Sequence, residues 1–209
     1  MLLTLVRHGE TEWNRLQRCQ GVSDIPLNEN GIFQSKLLAE SLKNEKIDAV
    51  FSSGLKRASS TAEAIAKFHG LEVGVDEDFR EMDQGEFEGV EFSEIREKHS
   101  DKLKMWVESP ASFRIPGGET LSEVQKRAMN GIENMLGKWT DAHIVVVSHN
   151  LTIVSMLCEF NSTPISGFRD FKISETSRTV VSCESGKYTV NILNDTSHLD
   201  DAAGYGAGA

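Results

Sequence analysis

The chain has 209 residues, 39% hydrophobic and 26% charged, a balance that suits one domain large enough to bury a core. With 22 Lys and Arg against 32 Asp and Glu, the net charge is -10. That argues against nucleic acid or an anionic membrane surface as a partner.

No apolar run approaches the ~20 residues that span a bilayer. Met1–Val6 is also too short for the apolar core of a signal peptide. Cys19, Cys158 and Cys183 are odd in number and widely spaced. They read as free thiols of a reducing, cytoplasmic compartment, not as a disulfide framework or a zinc site.

In chain order, the apolar run Leu2–Val6 followed by Arg7-His8-Gly9 predicts a central parallel strand. Asn28 is the expected N-cap of a helix that carries Phe33, Leu37, Leu38 and Leu42 on one face. Asp48–Ser52 predicts a second strand ending in small polar residues. Ala58, Ala62, Ile65 and Ala66 then share one face of a helix. From Asp76 to Glu97, ten carboxylates meet only Arg80 and Arg96, which reads mostly as a solvated charged face. Thr120 and Glu123 form a candidate capping box for a helix with Leu121, Val124, Ala128, Ile132 and Met135 on one side. Ile144–Ser148 is a third strand. Arg178–Glu184 and Tyr188–Leu193 flank Ser185-Gly186-Lys187 as a closing hairpin. From Asp195 the chain turns to Asp, Ala and Gly and reads as a mobile tail over 195–209. The expected architecture is a single domain over residues 1–194, α/β in class. It is a three-layer α/β/α sandwich around a mainly parallel central sheet.

Ligands of such sheets bind beyond the carboxyl ends of the strands. Arg7 and His8 follow the first strand, Ser52 and Ser53 the second, with Arg57 in the first turn of the next helix. His149 and Asn150 follow the Ile144–Ser148 strand and open another helix. Two histidines, two arginines and two helix N-termini at one sheet edge suit a dianionic phosphate. Trp13 reads as a packing residue, and Cys19 as an inert thiol near the pocket. The histidines at 69, 99, 143 and 198 show no metal-ligand spacing.

Arg7-His8-Gly9-Glu10-Thr11-Glu12-Trp13-Asn14 resembles the signature of the histidine phosphatase superfamily, which includes the cofactor-dependent phosphoglycerate mutases. The resemblance runs on through Ser23–Gly31, Ser52–Ala58, Phe79–Gly89, Pro116–Thr120 and Ser148-His149. It covers residues 1–193 and implies the phosphoglycerate mutase-like fold. It further implies that His8 accepts a phosphoryl group on an imidazole nitrogen, while Arg7, Arg57 and His149 hold the phosphate oxygens. Asn14 and the backbone near Asn150 would add donors, and Gln20-Gly21 would border the pocket. Glu81 would be the general acid, its pKa raised beside the phosphate. The implied substrate is a small phosphorylated metabolite. No metal is expected, and no cofactor either, unless the chain is a mutase that uses 2,3-bisphosphoglycerate.

Two departures bear on specificity. Asn150 stands where many relatives have Gly. After Glu81 there is no adjacent Arg pair before Pro116, and no Glu-Arg-His-Tyr-type motif. The Asp-Gln-Gly-Glu-Phe-Glu-Gly run at 83–89 is more like the short, broad-specificity phosphatase branch. A phosphomonoesterase is therefore the first reading and a phosphoglycerate mutase the second. A non-catalytic phospho-ligand binding module is a remote third, since His8, Glu81 and the arginines are all present. Arg96, Lys98, Lys102, Lys104 and Arg114 are candidates for meeting a second anionic group. A homodimer is left open.

Overall fold

The computed structural model describes residues 1–184 and 186–200. Its elements are β1 (Leu2–Arg7), α1 (Glu12–Arg15), α2 (Glu29–Leu42), β2 (Ala49–Ser52), α3 (Lys56–His69) and β3 (Val73–Val75). There follow α4 (Phe92–Lys98), α5 (Ser100–Glu108), α6 (Leu121–Leu136), β4 (His143–Ser148) and α7 (Asn150–Phe160). The chain closes with β5 (Arg178–Glu184), β6 (Lys187–Asp195) and α8 (Ser197–Asp200). Short 3-10 turns span Glu77–Phe79, Gly85–Phe87 and Ile165–Asp170.

One sheet runs in the order β3-β2-β4-β1-β5-β6. β1, β2, β3 and β4 are mutually parallel, while β5 is antiparallel to β1 and β6 to β5. Alternation along the strands builds two cores. Val6, Val50, Val145 and Val147 point to one face and pack with Leu38, Leu42, Ala58, Ala62 and Ile65 of α2 and α3. Leu3, Leu5, Ile144 and Val146 point to the other and pack with Leu121, Val124, Ala128 and Leu157 of α6 and α7. Covered on both sides, β4 is buried at every residue, which is why it reads as an unbroken apolar run. The result is the expected three-layer α/β/α sandwich. Among the described residues no helix is long and apolar enough to cross a membrane.

Local signals fix the helix starts. The Asn28 side chain accepts from Gly31 N at the start of α2, and Thr120 and Glu123 close the capping box on α6. The predicted faces of α3 and α6 are buried throughout. That of α2 is rotated: Phe33 is exposed, and Ser35 and Ala39 are buried with Leu38 and Leu42. Small residues are needed there because α2 packs closely on α3, where Ser35 Oγ lies 3.1 Å from Thr61 Oγ1. The expected tail is ordered at its start. Asp195 ends β6 and accepts from Arg178 Nε at 2.7 Å, and His198 of α8 is buried against Thr176. Ser185 of the hairpin turn and residues 201–209 lie outside the described residues.

Candidate active site

The carboxyl ends of β1, β4 and β2 lie side by side in register, with Arg7 opposite Ser148 and Ser52 opposite Val147. His8 follows β1 directly, and its N–H donates to Ser148 O at 3.0 Å. The loop then passes so close to the start of α2 that a Cβ on Gly9 would lie 2.5 Å from Gly31 O.

The His8 ring is buried. Nδ1 contacts Gly9 O at 2.7 Å, and Arg57 Nε donates to Nε2 at 3.3 Å. A guanidinium only donates and a carbonyl only accepts, so the proton is on Nδ1 and a lone pair on Nε2. Burial, then the charges of Arg57 and Arg7, hold the imidazole pKa well below its ordinary value. His8 is neutral near pH 7.

Arg57 is fully buried in the first turn of α3. It donates from Nη1 to Ser23 O at 2.7 Å and from Nη2 to Gly21 O at 2.6 Å. Burial brings its pKa down to about 10, still charged at neutrality. Arg7 donates to Ile173 O and to Glu175 Oε1, both at 2.7 Å, and its buried Nε has no partner among the described residues. His149 is the N-cap of α7, its ring centroid 5.1 Å from that of His8. Its Nε2 is 2.7 Å from Ser53 Oγ. With that hydroxyl donating, the ring proton is on Nδ1, which is also buried without a partner among the described residues. Two buried nitrogens beside a nucleophilic lone pair are the donors an oxyanion would engage.

Glu81 approaches the same spot from the segment after β3. Its carboxylate accepts from Met82 N at 2.9 Å, Leu151 N at 3.1 Å and Thr152 N at 3.2 Å, the last two in the first turn of α7. Those N–H groups and the charges of Arg57 and Arg127 favour the carboxylate, yet burial outweighs them and raises the pKa. The upward shift thus comes from burial in the protein itself.

Asn14 Oδ1 accepts from Thr11 N at 3.0 Å in the capping box of α1, and Gln20 Oε1 accepts from Thr11 Oγ1 at 2.7 Å. Both side chains are thereby oriented by their oxygens, leaving their amide nitrogens as donors. Arg7, His8, Asn14, Gln20, Glu81 and Asn150 all line one cavity of about 300 Å³. Arg57, His149 and Gly21 stand behind that lining. Gly21 is a bracket: its carbonyl holds Arg57, and a Cβ on it would lie 2.3 Å from Met82 O.

Two residues with structural parts in the site carry weak sequence signals. Arg127 of α6 donates to Asp78 O, Arg80 O and Glu81 O at 2.6–3.0 Å, and its Nε donates to Glu119 Oε1 at 3.0 Å. Glu119 Oε2 in turn accepts from Asp83 N at 2.9 Å, so the pair grips the strip that carries Glu81. The only signal was a charge one turn beyond Val124, on the flank of a buried stripe. Glu88, assigned to a solvated face, accepts from Val22 N at 2.8 Å and from Ser23 N and Gln84 N at 3.3 Å. It braces the loop whose carbonyls hold Arg57.

Of the basic candidates between 90 and 115, Lys98, Lys102, Lys104 and Arg114 pair with Glu94, Glu86, Glu108 and Glu123. Arg96 has no ion-pair partner among the described residues, and with Arg18 it lines a shallower cavity at the mouth. Cys19 lines the main cavity, but burial pushes its thiol up to about 12, which leaves it unreactive. Trp13 packs over Gly89. Among the described residues no cluster of three His, Cys, Asp or Glu could hold a metal ion.

The model of the histidine phosphatase superfamily (branch 1) matches residues 3–196. The chain belongs to that superfamily. Phosphoserine phosphatase 1 of Hydrogenobacter thermophilus is 36% identical to it over 199 residues, covering 95% of this chain and 94% of that one. Phosphoglycerate mutase-like protein 4 of Arabidopsis thaliana is 36% identical over 203 residues, covering 95% and 87%. The solved structure of Bacillus stearothermophilus YhfR superposes with a TM-score of 0.89 at 28% identity, covering 95% and 98%. Relatives of this histidine phosphatase superfamily member are named as phosphatases and mutases, which places it among phosphoryl-transfer proteins.

Proposed function

We propose that the protein is a phosphomonoesterase that passes the phosphoryl group of a small phosphorylated metabolite to His8 and then to water. The observation that carries this reading is the fixed tautomer of His8, with a lone pair on Nε2 in the cavity that Glu81 also lines.

In the first step Nε2 attacks phosphorus, forming an N–P bond as the ester O–P bond breaks. Glu81, whose burial favours its protonated form, gives its proton to the leaving alkoxide. Arg57 gives up its contact with Nε2 for a phosphate oxygen, and Arg7 Nε and His149 Nδ1 take the others. In the second step the Glu81 carboxylate takes a proton from water as the water oxygen bonds phosphorus and the N–P bond breaks. Inorganic phosphate leaves and Glu81 is protonated again. The charge stabilisation comes from protein side chains, so neither metal nor cofactor is proposed.

A mutase differs in what attacks the phosphohistidine: a phosphoglycerate takes the place of water, with 2,3-bisphosphoglycerate as cofactor. The relative named as phosphoglycerate mutase-like keeps that reading in view. The test is phosphate release and 3-phosphoglycerate isomerisation measured side by side, with the phosphoenzyme trapped by base quench. Base-stable, acid-labile label on His8, absent from His8→Ala, is the expected result. Label on serine, or full activity in His8→Ala, overturns the mechanism. Isomerisation outpacing phosphate release selects the mutase.

A further inference from the structure

The cavity over His8 is far larger on one side than a phosphate needs, and that side is built from carbon. Phe87 and Phe168 of two 3-10 turns, Ile95 of α4, Leu103 and Trp106 of α5, and Ile115 form its walls. Four of these, Phe87, Ile95, Ile115 and Phe168, are buried in the core, so the chamber is part of the packed interior. Trp106 meets Phe168 edge-on at 5.0 Å, which fixes the wall. The indole N–H of Trp106 is buried with no acceptor among the described residues.

Two basic side chains near the chamber are otherwise employed, while Arg96 stands at its mouth without an ion-pair partner among the described residues. Arg18 donates to Gly89 O and Glu91, and Lys102 is paired with Glu86. An apolar-walled space adjoining a phosphate site holds apolar surface better than water or charge.

We infer that this chamber receives the alcohol half of the substrate, and that the preferred substrates are phosphomonoesters of bulky apolar alcohols bearing one hydrogen-bond acceptor. The inference rests on the phosphomonoesterase reading for which end of the substrate is cut, but not for binding. A small polar ester would leave the chamber walls uncovered. An ester with a ring or branched chain fills them, and Trp106 Nε1 donates to its acceptor.

Binding and turnover separate the two readings. Calorimetry on the whole chain compares ethylphosphonate with 2-phenylethylphosphonate, which present the same charge and differ in apolar bulk. The phenyl compound is expected to bind at least tenfold tighter, the scale of even a single methylene in an apolar pocket, with a more negative heat-capacity change. Leu103→Asn, a neutral change at a half-buried position, should bring that ratio toward one, with ethylphosphonate still bound as the sign of an intact phosphate site. A ratio near one in the wild type overturns the inference. So does tighter binding of phosphoserine than of the phenyl compound, lost in Arg96→Ala, which would assign specificity to the charged mouth. A methoxy group on the phenyl ring should gain affinity in the wild type and not in Trp106→Phe; equal gains remove the acceptor from the proposal. Phosphate release from the matching esters is measured separately. Retained binding preference without release sinks the phosphomonoesterase reading and leaves the chamber standing.

Discussion

Glu81 is a carboxyl pulled in two directions. Three backbone N–H groups and two arginines favour its charged form, and burial favours the neutral one. Burial wins, so the group holds a proton at a pH where an exposed Glu would have lost it. Glu81→Gln keeps the shape, although its amide nitrogen cannot accept from a backbone N–H as the carboxylate oxygen did, and it neither gives nor takes a proton. Loss of such help typically costs ~10²–10⁴ in rate. The loss should fall on alkyl phosphates, whose alkoxide is a poor leaving group. Phosphorylation by p-nitrophenyl phosphate should be nearly spared, since its phenolate departs unaided. Arg57→Ala, which removes charge stabilisation common to both, should slow both. Single-turnover kinetics reads the difference; equal slowing of the two substrates in Glu81→Gln would move the acid role to another group.

α6 shows how an element serves the site from a distance. Its apolar stripe docks on the sheet, and from the flank of that stripe Arg127 reaches three carbonyls of the strip before Met82 while Glu119 holds Asp83. Arg127→Met should let that strip shift, and a displacement of about 1 Å can cost ~10²-fold. The loss should follow the Glu81→Gln pattern, heavier on alkyl than on aryl esters, with Arg127→Lys recovering part of it. Uniform loss on both substrates, or none, would show that Arg127 only stabilises the fold. Beyond a charge on the flank of that stripe, the sequence does not announce this clamp. Arg7, His8, Arg57 and His149 were legible because each follows a strand or opens a helix, and local pattern fixes those ends. Arg127 and Glu88 act through backbone carbonyls and amides of distant loops, and a loop's path is set by packing that no periodicity encodes. The rotated face of α2 has a similar cause. Close approach to α3 selects Ser35 and Ala39 over the larger Phe33, so hydrophobicity alone placed Leu38 and Leu42 correctly and Phe33 on the wrong side.

Across the whole molecule, four histidines are buried or largely so, and all have lowered pKa values, with burial the first cause. Two are in the site, His8 and His149. His143 is at the opposite end of the sheet, with Nε2 2.8 Å from Thr4 Oγ1, and His198 is in α8. The unfolded chain protonates such groups near pH 6.5 and the folded chain only lower, so the unfolded state binds more protons as the medium acidifies. Their contribution is full above about 6.5 and is lost as pH falls below it. Glu81 acts in the opposite sense, since its raised pKa favours folding at low pH. The net charge of -10 does likewise, because acidification relieves self-repulsion. With four lowered imidazoles against one raised carboxyl and a surface charge that salt screens, the imidazoles are expected to set the sign. The thermal midpoint, followed by circular dichroism at constant ionic strength, should therefore fall between pH 7.5 and 5.5. His143→Gln, remote from the nucleophile, should flatten the slope while leaving turnover intact, whatever it does to the midpoint at pH 7.5. A midpoint that rises on acidification would mean that surface repulsion dominates. An unchanged slope in His143→Gln would mean that this imidazole charges as readily folded as unfolded.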